Sequence, residues 1–403
     1  MFKKMTILFI LSLLIFNPVS YVLADNNSIS TSQTELTASD LFSEALAEYN
    51  KQNFTAASVK FDQLLADYQL DEGLEFSALY YASMTAAKNL KTQKAISRLE
   101  MLEERGYQSA DLNWRIGELF LNKNNQFDSA DFASALKYLK KAAELGKDTP
   151  AFKRDLAGSY LETGKTDTAK QIYQEIIKAD STAADYVYLA KIMEKENKNK
   201  KAVEYYEKAI ELDSEQQSVY LNLGNLYQRL DNYAAAISIY KKGIENKNNF
   251  TPYYIGLGES YFALEEYAAA QKALEKAIEI NHNSYYGYFL LGNIAKQAKN
   301  YNQALNYYDK SLQYNPDYVE AYLAEGQVQL EKEAYYQAIS KFSLAVDKNP
   351  EYAESRYYLG LAYYRAEMME ASRSELRKAL HIDDTYQPAR KLLDKVENIL
   401  NIK

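Results

Sequence analysis

From Ala183 to Tyr386 one chemical pattern returns every 34 residues, six times and without a gap. Glycines stand at Gly224, Gly258, Gly292, Gly326 and Gly360. Alanines answer them twelve residues later at Ala236, Ala270, Ala304 and Ala338, and tyrosines at Tyr186, Tyr220, Tyr254, Tyr288 and Tyr322 precede the glycine position by four. A period of this size belongs to stacked two-helix units, each too small to bury its own apolar face and dependent on its neighbours. The chain is therefore constrained to a one-dimensional array, and the usual scaling of domain number with length does not apply to its 403 residues.

The spacing has a physical reading. Glycine and alanine let two helix axes approach closely, so that ridges of one helix enter grooves of the other, while the tyrosine and leucine positions fill the remaining space. Proline supports the same boundaries: Pro150, Pro252, Pro316, Pro350 and Pro388 fall at turns or first helical positions, where a missing N–H is harmless. Helices of about 13 residues are about 20 Å long, which leaves a groove one helix wide along the stack. No stretch carries a strand pattern.

Composition narrows the function classes. Hydrophobic residues at 47% and charged residues at 25% are ordinary for a soluble protein, so neither disorder nor a polytopic membrane protein is expected; the 38 tyrosines are the anomaly. Net charge is -8, and the first 24 residues hold two lysines and no acid, which leaves -10 on the remainder. Phosphate binding needs a concentrated basic face, so no nucleic-acid partner is expected. The chain has no cysteine, which removes disulfides, thiolate metal sites, a cysteine nucleophile and a lipid-attachment cysteine together. His282 and His381 are 99 residues apart and read as solvated turn or helix-end residues. No metal, cofactor or catalytic group is expected: no Gly-rich loop follows a strand, and the carboxylates are dispersed as solvated faces.

In chain order, residues 1–24 open with Lys3 and Lys4, run through an apolar core from Met5 to Phe16 broken by Thr6 and Ser12, and reach Val22 and Ala24 by way of Pro18 and Ser20. This is the layout of a secretory signal peptide cleaved before Asp25. The alternative is an uncleaved anchor, although the core is shorter than the roughly 20 residues a spanning helix needs. Export to the periplasm, the cell envelope or the outside is expected. Residues 25–37 form a flexible polar leader. Divergent repeats occupy 38–182: Leu41, Ala45, Ala57, Phe61 and Leu64 fill repeat slots, Ser83 takes a glycine position, and a unit from Ala110 carries a six-residue insertion expected between its two helices. Six regular repeats cover 183–386. The last stretch, 387–403, sets Ala389, Leu392, Leu393, Val396, Ile399 and Leu400 on one stripe and reads as a capping helix rather than a membrane-lying one.

The stretch YLNLGNLYQRLDNYAAAISIYKKGI, Tyr220 to Ile244, resembles a tetratricopeptide repeat. The same residues recur as Tyr288, Leu291, Gly292, Ala304, Tyr308 and Pro316, and as Tyr322, Gly326, Ala338, Phe342, Ala345 and Pro350. Ala135 to Lys147 is also similar to Sel1-like repeats. Arg356 and Ser372 depart from the pattern in the last unit. The resemblance implies an all-α, right-handed superhelical solenoid of antiparallel helix pairs, about ten repeats and a capping helix. It also implies an inner face lined by the second, fifth, sixth, ninth and twelfth residues of each unit. The partner groove is thereby expected over Asn222, Asn225, Phe262, Tyr286, Phe289, Asn293, Tyr357, Tyr358 and Tyr364, where aromatic residues cluster. Some of these are equally suited to packing on the next helix or the cap.

The expected partner is a peptide segment or a subunit of an envelope complex, with any membrane contact peripheral or through partners. A lysine, arginine and asparagine clamp for a terminal carboxylate is not supported, since Arg154 is the lone cation at its fifth and sixth positions. A glycan-binding or polysaccharide-export scaffold is the alternative, because tyrosine stacks on sugar rings as well as on side chains.

Overall fold

The computed structural model describes residues 36–121, 130–247 and 249–401, and the regular structure among them is α-helical. The signal-peptide segment, most of the polar leader and most of the loop expected to hold the insertion lie outside the described residues. The chain divides into two compact units, Met1–Asp148 and Thr149–Lys403.

In the first unit the helices are α1 (Ala38–Asn50), α2 (Phe54–Asp67), α3 (Glu72–Lys88), α4 (Thr92–Glu104), α5 (Ala110–Phe120) and α6 (Phe132–Glu144). Each packs against the one before and after it. Starts are set by short polar side chains that accept from exposed N–H groups: Thr37 and Asp40 form a capping box, and Asp71, Ser109 and Asp131 cap α3, α5 and α6. The four residues by which the second repeat exceeds its period, Glu72 to Glu75, lengthen α3 to 17 residues instead of adding a loop.

The second unit holds α7 (Pro150–Glu162), α8 (Thr166–Ala179), α9 (Ala183–Lys195), α10 (Asn199–Leu212), α11 (Gln217–Arg229), α12 (Tyr233–Asn246), α13 (Thr251–Ala263) and α14 (Tyr267–Ile280). It continues with α15 (Tyr285–Gln297), α16 (Tyr301–Tyr314), α17 (Val319–Glu331), α18 (Tyr335–Lys348), α19 (Ala353–Arg365), α20 (Met369–Ile382) and α21 (Gln387–Ile399). These are antiparallel pairs stacked in chain order, with α21 in the place of a first helix.

Between the helices of a pair one residue adopts a left-handed backbone: Asn197, Asp231, Glu265, Lys299, Glu333 and Glu367 do so at the 34-residue step, and Asn401 does so after α21. Each reversal is closed by paired bonds such as Asn232 N–H to Tyr227 O at 2.8 Å and Asp231 N–H to Gln228 O at 3.0 Å, which occupy carbonyls the helix end leaves open.

The repeat glycine earns its place within each pair. A Cβ on Gly258 would stand 2.5 Å from the Leu274 side chain and one on Gly360 would stand 2.8 Å from Leu376; at Gly224, Gly292 and Gly326 the rings of Tyr240, Tyr308 and Phe342 press closer still. Where the pattern departs from glycine and alanine, a hydrogen bond spans the same contact. Ser83 Oγ donates to Ala95 O at 2.8 Å, and Ser372 Oγ donates to Gly360 O at 2.8 Å. Arg356, at the aromatic position, binds Glu375 at 3.1 Å and donates to Pro350 O at 3.0 Å. The worn last repeat is thus tightly held.

Candidate partner-binding groove

From α11 to α21 each first helix touches the first helix of the next pair directly. The second, ninth and twelfth residues of neighbouring units make side-chain bonds across these seams. Tyr286 Oη donates to Glu259 Oε1 at 2.6 Å; Gln228 Nε2 donates to Gly256 O at 3.0 Å; Lys296 Nζ donates to Gln327 Oε1 at 2.8 Å. One face of the first helices is thereby joined into a continuous surface.

An aromatic cluster dominates its middle. Tyr286 stacks on Phe289 at 6.1 Å between ring centres, and Tyr318, just before α17, stands edge-on to both Tyr285 and Phe289 at 5.1 Å. Burial, followed by the bond to Glu259, raises the Tyr286 pKa, so this hydroxyl stays a neutral donor. Phe262 meets Tyr267 of its own repeat edge-on at 5.5 Å. Further along, Tyr358 stacks on Phe342 at 5.4 Å, while Tyr357 packs on Tyr386 at 5.6 Å and, with Tyr364, flanks the core shared with α21.

The expected groove residues therefore have different neighbours. Tyr286 and Phe289 lie together in the central cluster. Asn225 and Asn293 accept the hydroxyls of Tyr240 and Tyr308 at 2.7 and 2.8 Å, so their amide oxygens serve the framework. Asn222 is half-buried on α11 and makes no side-chain hydrogen bond among the described residues. Tyr357 and Tyr364 support the cap. Arg154 is held by Asp185, itself 1% exposed, at 3.0 Å and by Asp180 at 3.3 Å, so it is no open cation.

Sequence reasoning passed over Tyr285, Tyr318 and Lys296. A signal for Tyr318 existed, since Phe250, Tyr318, Tyr352 and Tyr386 stand at one repeat position just ahead of their first helices, with Ser284 the exception among them; Lys296 is the twelfth residue of its unit. His282 and His381 are both exposed. Among the described residues there is no cluster of His, Asp and Glu suited to a metal ion, and no helix is long and apolar enough to cross a membrane. A shallow cleft over Lys241, Tyr254, Tyr261 and Lys272 includes none of the expected groove residues.

Family sequence models described as tetratricopeptide repeats match residues 126–192, 192–231, 217–250, 251–283, 289–353 and 335–387. The chain is a tetratricopeptide repeat protein. The match at 126–192 includes the whole stretch from Ala135 to Lys147 that resembles Sel1-like repeats and is itself a tetratricopeptide one. Among solved structures, a tetratricopeptide repeat protein from Parabacteroides merdae aligns with a TM-score of 0.51 at 15% identity, over 61% of this chain and 98% of that one, a likeness of fold. YrrB, described as a TPR protein with an unusual peptide-binding site, is 25% identical over 46% of this chain and 96% of its own, with a TM-score of 0.37. Yeast Tom70 is 14% identical over 90% of this chain and 96% of its own, with a TM-score of 0.49. No curated protein shows significant similarity. Tetratricopeptide arrays are in general non-catalytic scaffolds, and the fold implies a protein-interaction scaffold for this chain.

Proposed function

We propose that the aromatic strip on α13, α15 and α19, with Tyr318 just ahead of α17, holds a segment of another protein, and that the chain is exported and acts as a scaffold in a cell-envelope assembly. The observation that carries the binding reading is the ring cluster of Tyr285, Tyr286, Phe289 and Tyr318. It gathers four aromatic side chains at one place on the first-helix face, with Tyr285 still 37% exposed. Grouped aromatic area of this kind marks contact surfaces, since it offers large apolar contact at little entropic cost. Export is supported by the lysine pair, short apolar core and small residues of 1–24.

A photo-crosslinking residue at Phe289, used in cells, is expected to capture a protein partner, and alanine at Tyr286 and Phe289 together is expected to lower partner capture at least tenfold with the helical content retained. Unchanged capture by a folded double variant would defeat the groove reading. Direct affinity for an envelope glycan with no protein crosslink would favour the sugar-binding alternative. For export, N-terminal sequencing of envelope material is expected to begin at or near Asp25, and recovery of Met1 to Ala24 still attached would overturn cleavage.

A further inference from the structure

Lys296 projects from the same face of α15 as Tyr286, Phe289 and Asn293 and is half-buried. Its Nζ has one hydrogen-bond partner among the described residues, the neutral amide oxygen of Gln327 at 2.8 Å, and no carboxylate lies within ion-pair distance. The acid that acts on it, Glu331, does so from beyond ion-pair distance. Other partly buried cations of this unit are neutralised: Arg154 lies on Asp185 at 3.0 Å and Arg356 on Glu375 at 3.1 Å. A charge taken from water without an opposite charge is unfavourable, and burial lowers the Lys296 pKa accordingly. The half-buried ammonium thus stands on the same helix face as Tyr286 and Phe289 with a neutral amide, and no anion of the described residues, in contact with it.

We propose that Lys296 receives a carboxylate carried by the bound segment, while Tyr286 and Phe289 receive an apolar side chain of the same segment. This rests on the reading of the groove as a protein-binding surface and adds the chemistry of the partner. Seven residues of helix separate Phe289 from Lys296, a rise of about 10 Å. An extended chain covers that distance in about three residues. The segment therefore carries an apolar residue and an acidic group about three residues apart, the acid being an Asp or Glu side chain or a chain terminus.

The test selects a random peptide library, displayed on phage, against the chain from Asp25 onward. Wild type is expected to enrich peptides with an acid about three residues from an aromatic or aliphatic residue. A selected peptide resynthesised with Asp changed to Asn is expected to bind about tenfold more weakly, the size of one charge-assisted hydrogen bond. Lys296→Met is expected to bind the Asp and Asn peptides equally, and Lys296→Arg to keep the preference. Resynthesis with free and amidated ends distinguishes a terminal carboxylate from a side chain. Equal binding of the two peptides by wild type, or an acid preference that survives Lys296→Met, overturns the proposal. Selection unaffected by Phe289→Ala is a different failure, that of the groove itself. Thermal unfolding of Lys296→Met close to wild type verifies the fold, since the variant removes a partly buried charge together with its one bond to Gln327.

Discussion

Leu223, Leu257, Leu291 and Leu359, each buried, precede their repeat glycines, but in one repeat that place belongs to Glu325, which is fully buried. Lys341 Nζ stands 2.7 Å from its Oε2, but neither carboxylate oxygen gains a well-directed hydrogen bond, and Asp309 of α16 adds a second acid. Burial, then the contact with Asp309, pushes the Glu325 pKa up from 4.5 to about 7. The folded form thus holds a proton that the unfolded chain would release. Its stability is fully present below about pH 4.5 and is lost as pH rises to about 7, at about 1.4 kcal/mol per unit and so about 3–4 kcal/mol in all. Glu325→Leu restores the repeat's own residue, and exchanging a buried ion pair for packed apolar groups is stabilising by about 1–4 kcal/mol in favourable cases. The variant is expected to gain most at about pH 8 and least at about pH 5, read from denaturant midpoints. A gain of the same size at both would exclude Glu325 as the titrating group. The identity of this residue was legible in sequence; that Lys341 and Asp309 would face it depends on packing between α16, α17 and α18.

At the scale of a helix pair, two glycines within first helices have opposite effects, Gly292 at the repeat slot and Gly158 one residue after that slot, which Ala157 fills. A Cβ at Gly292 would run into the Tyr308 ring, whereas one at Gly158 would meet nothing nearer than the Tyr173 hydroxyl at 3.8 Å. Gly292→Ala is therefore expected to destabilise by about 1–3 kcal/mol through overpacking. Gly158→Ala is expected to stabilise by about 0.5–1 kcal/mol, since glycine within a helix is unfavourable relative to alanine and here no close contact needs it. Chemical unfolding of the two variants checks both signs, and destabilisation by both would mean that the α7 and α8 contact is closer than described. The serines tell the same story. Ser83 and Ser372 read as departures from a small-residue pattern, yet each hydroxyl bridges to the carbonyl opposite, which the spacing alone does not reveal.

At the scale of the second unit, stability passes between neighbouring repeats, and the last repeat depends on what covers it. Leu392, Val396 and Ala389 of α21 close over Leu376 and Ala379, with Tyr357, Leu361 and Tyr364 beside them. Ending the chain before Gln387 is expected to speed amide hydrogen exchange in α19 and α20 and to leave α9 to α12 near wild type. Uniform acceleration from α9 to α20 would show a single cooperative unit instead. Periodicity was enough to read the helix pairs, their stacking order and the cap, because a small residue at a fixed step is tolerated only where two helices meet. The positions expected to line the inner face came from the family resemblance and not from the period itself. Periodicity could not read the left-handed turn residues, since Asn197, Asp231, Glu265 and Lys299 share a backbone conformation but no side-chain type. Nor could it separate groove from framework: Asn225 and Asn293 are used by Tyr240 and Tyr308, Tyr357 turns to the cap, and Lys296 is left with a neutral partner. Repeat spacing by itself determined the architecture, which rests on contacts at a constant sequence separation. Tertiary structure alone decided which polar and aromatic groups remain free to bind, because that depends on which neighbour reaches each of them first.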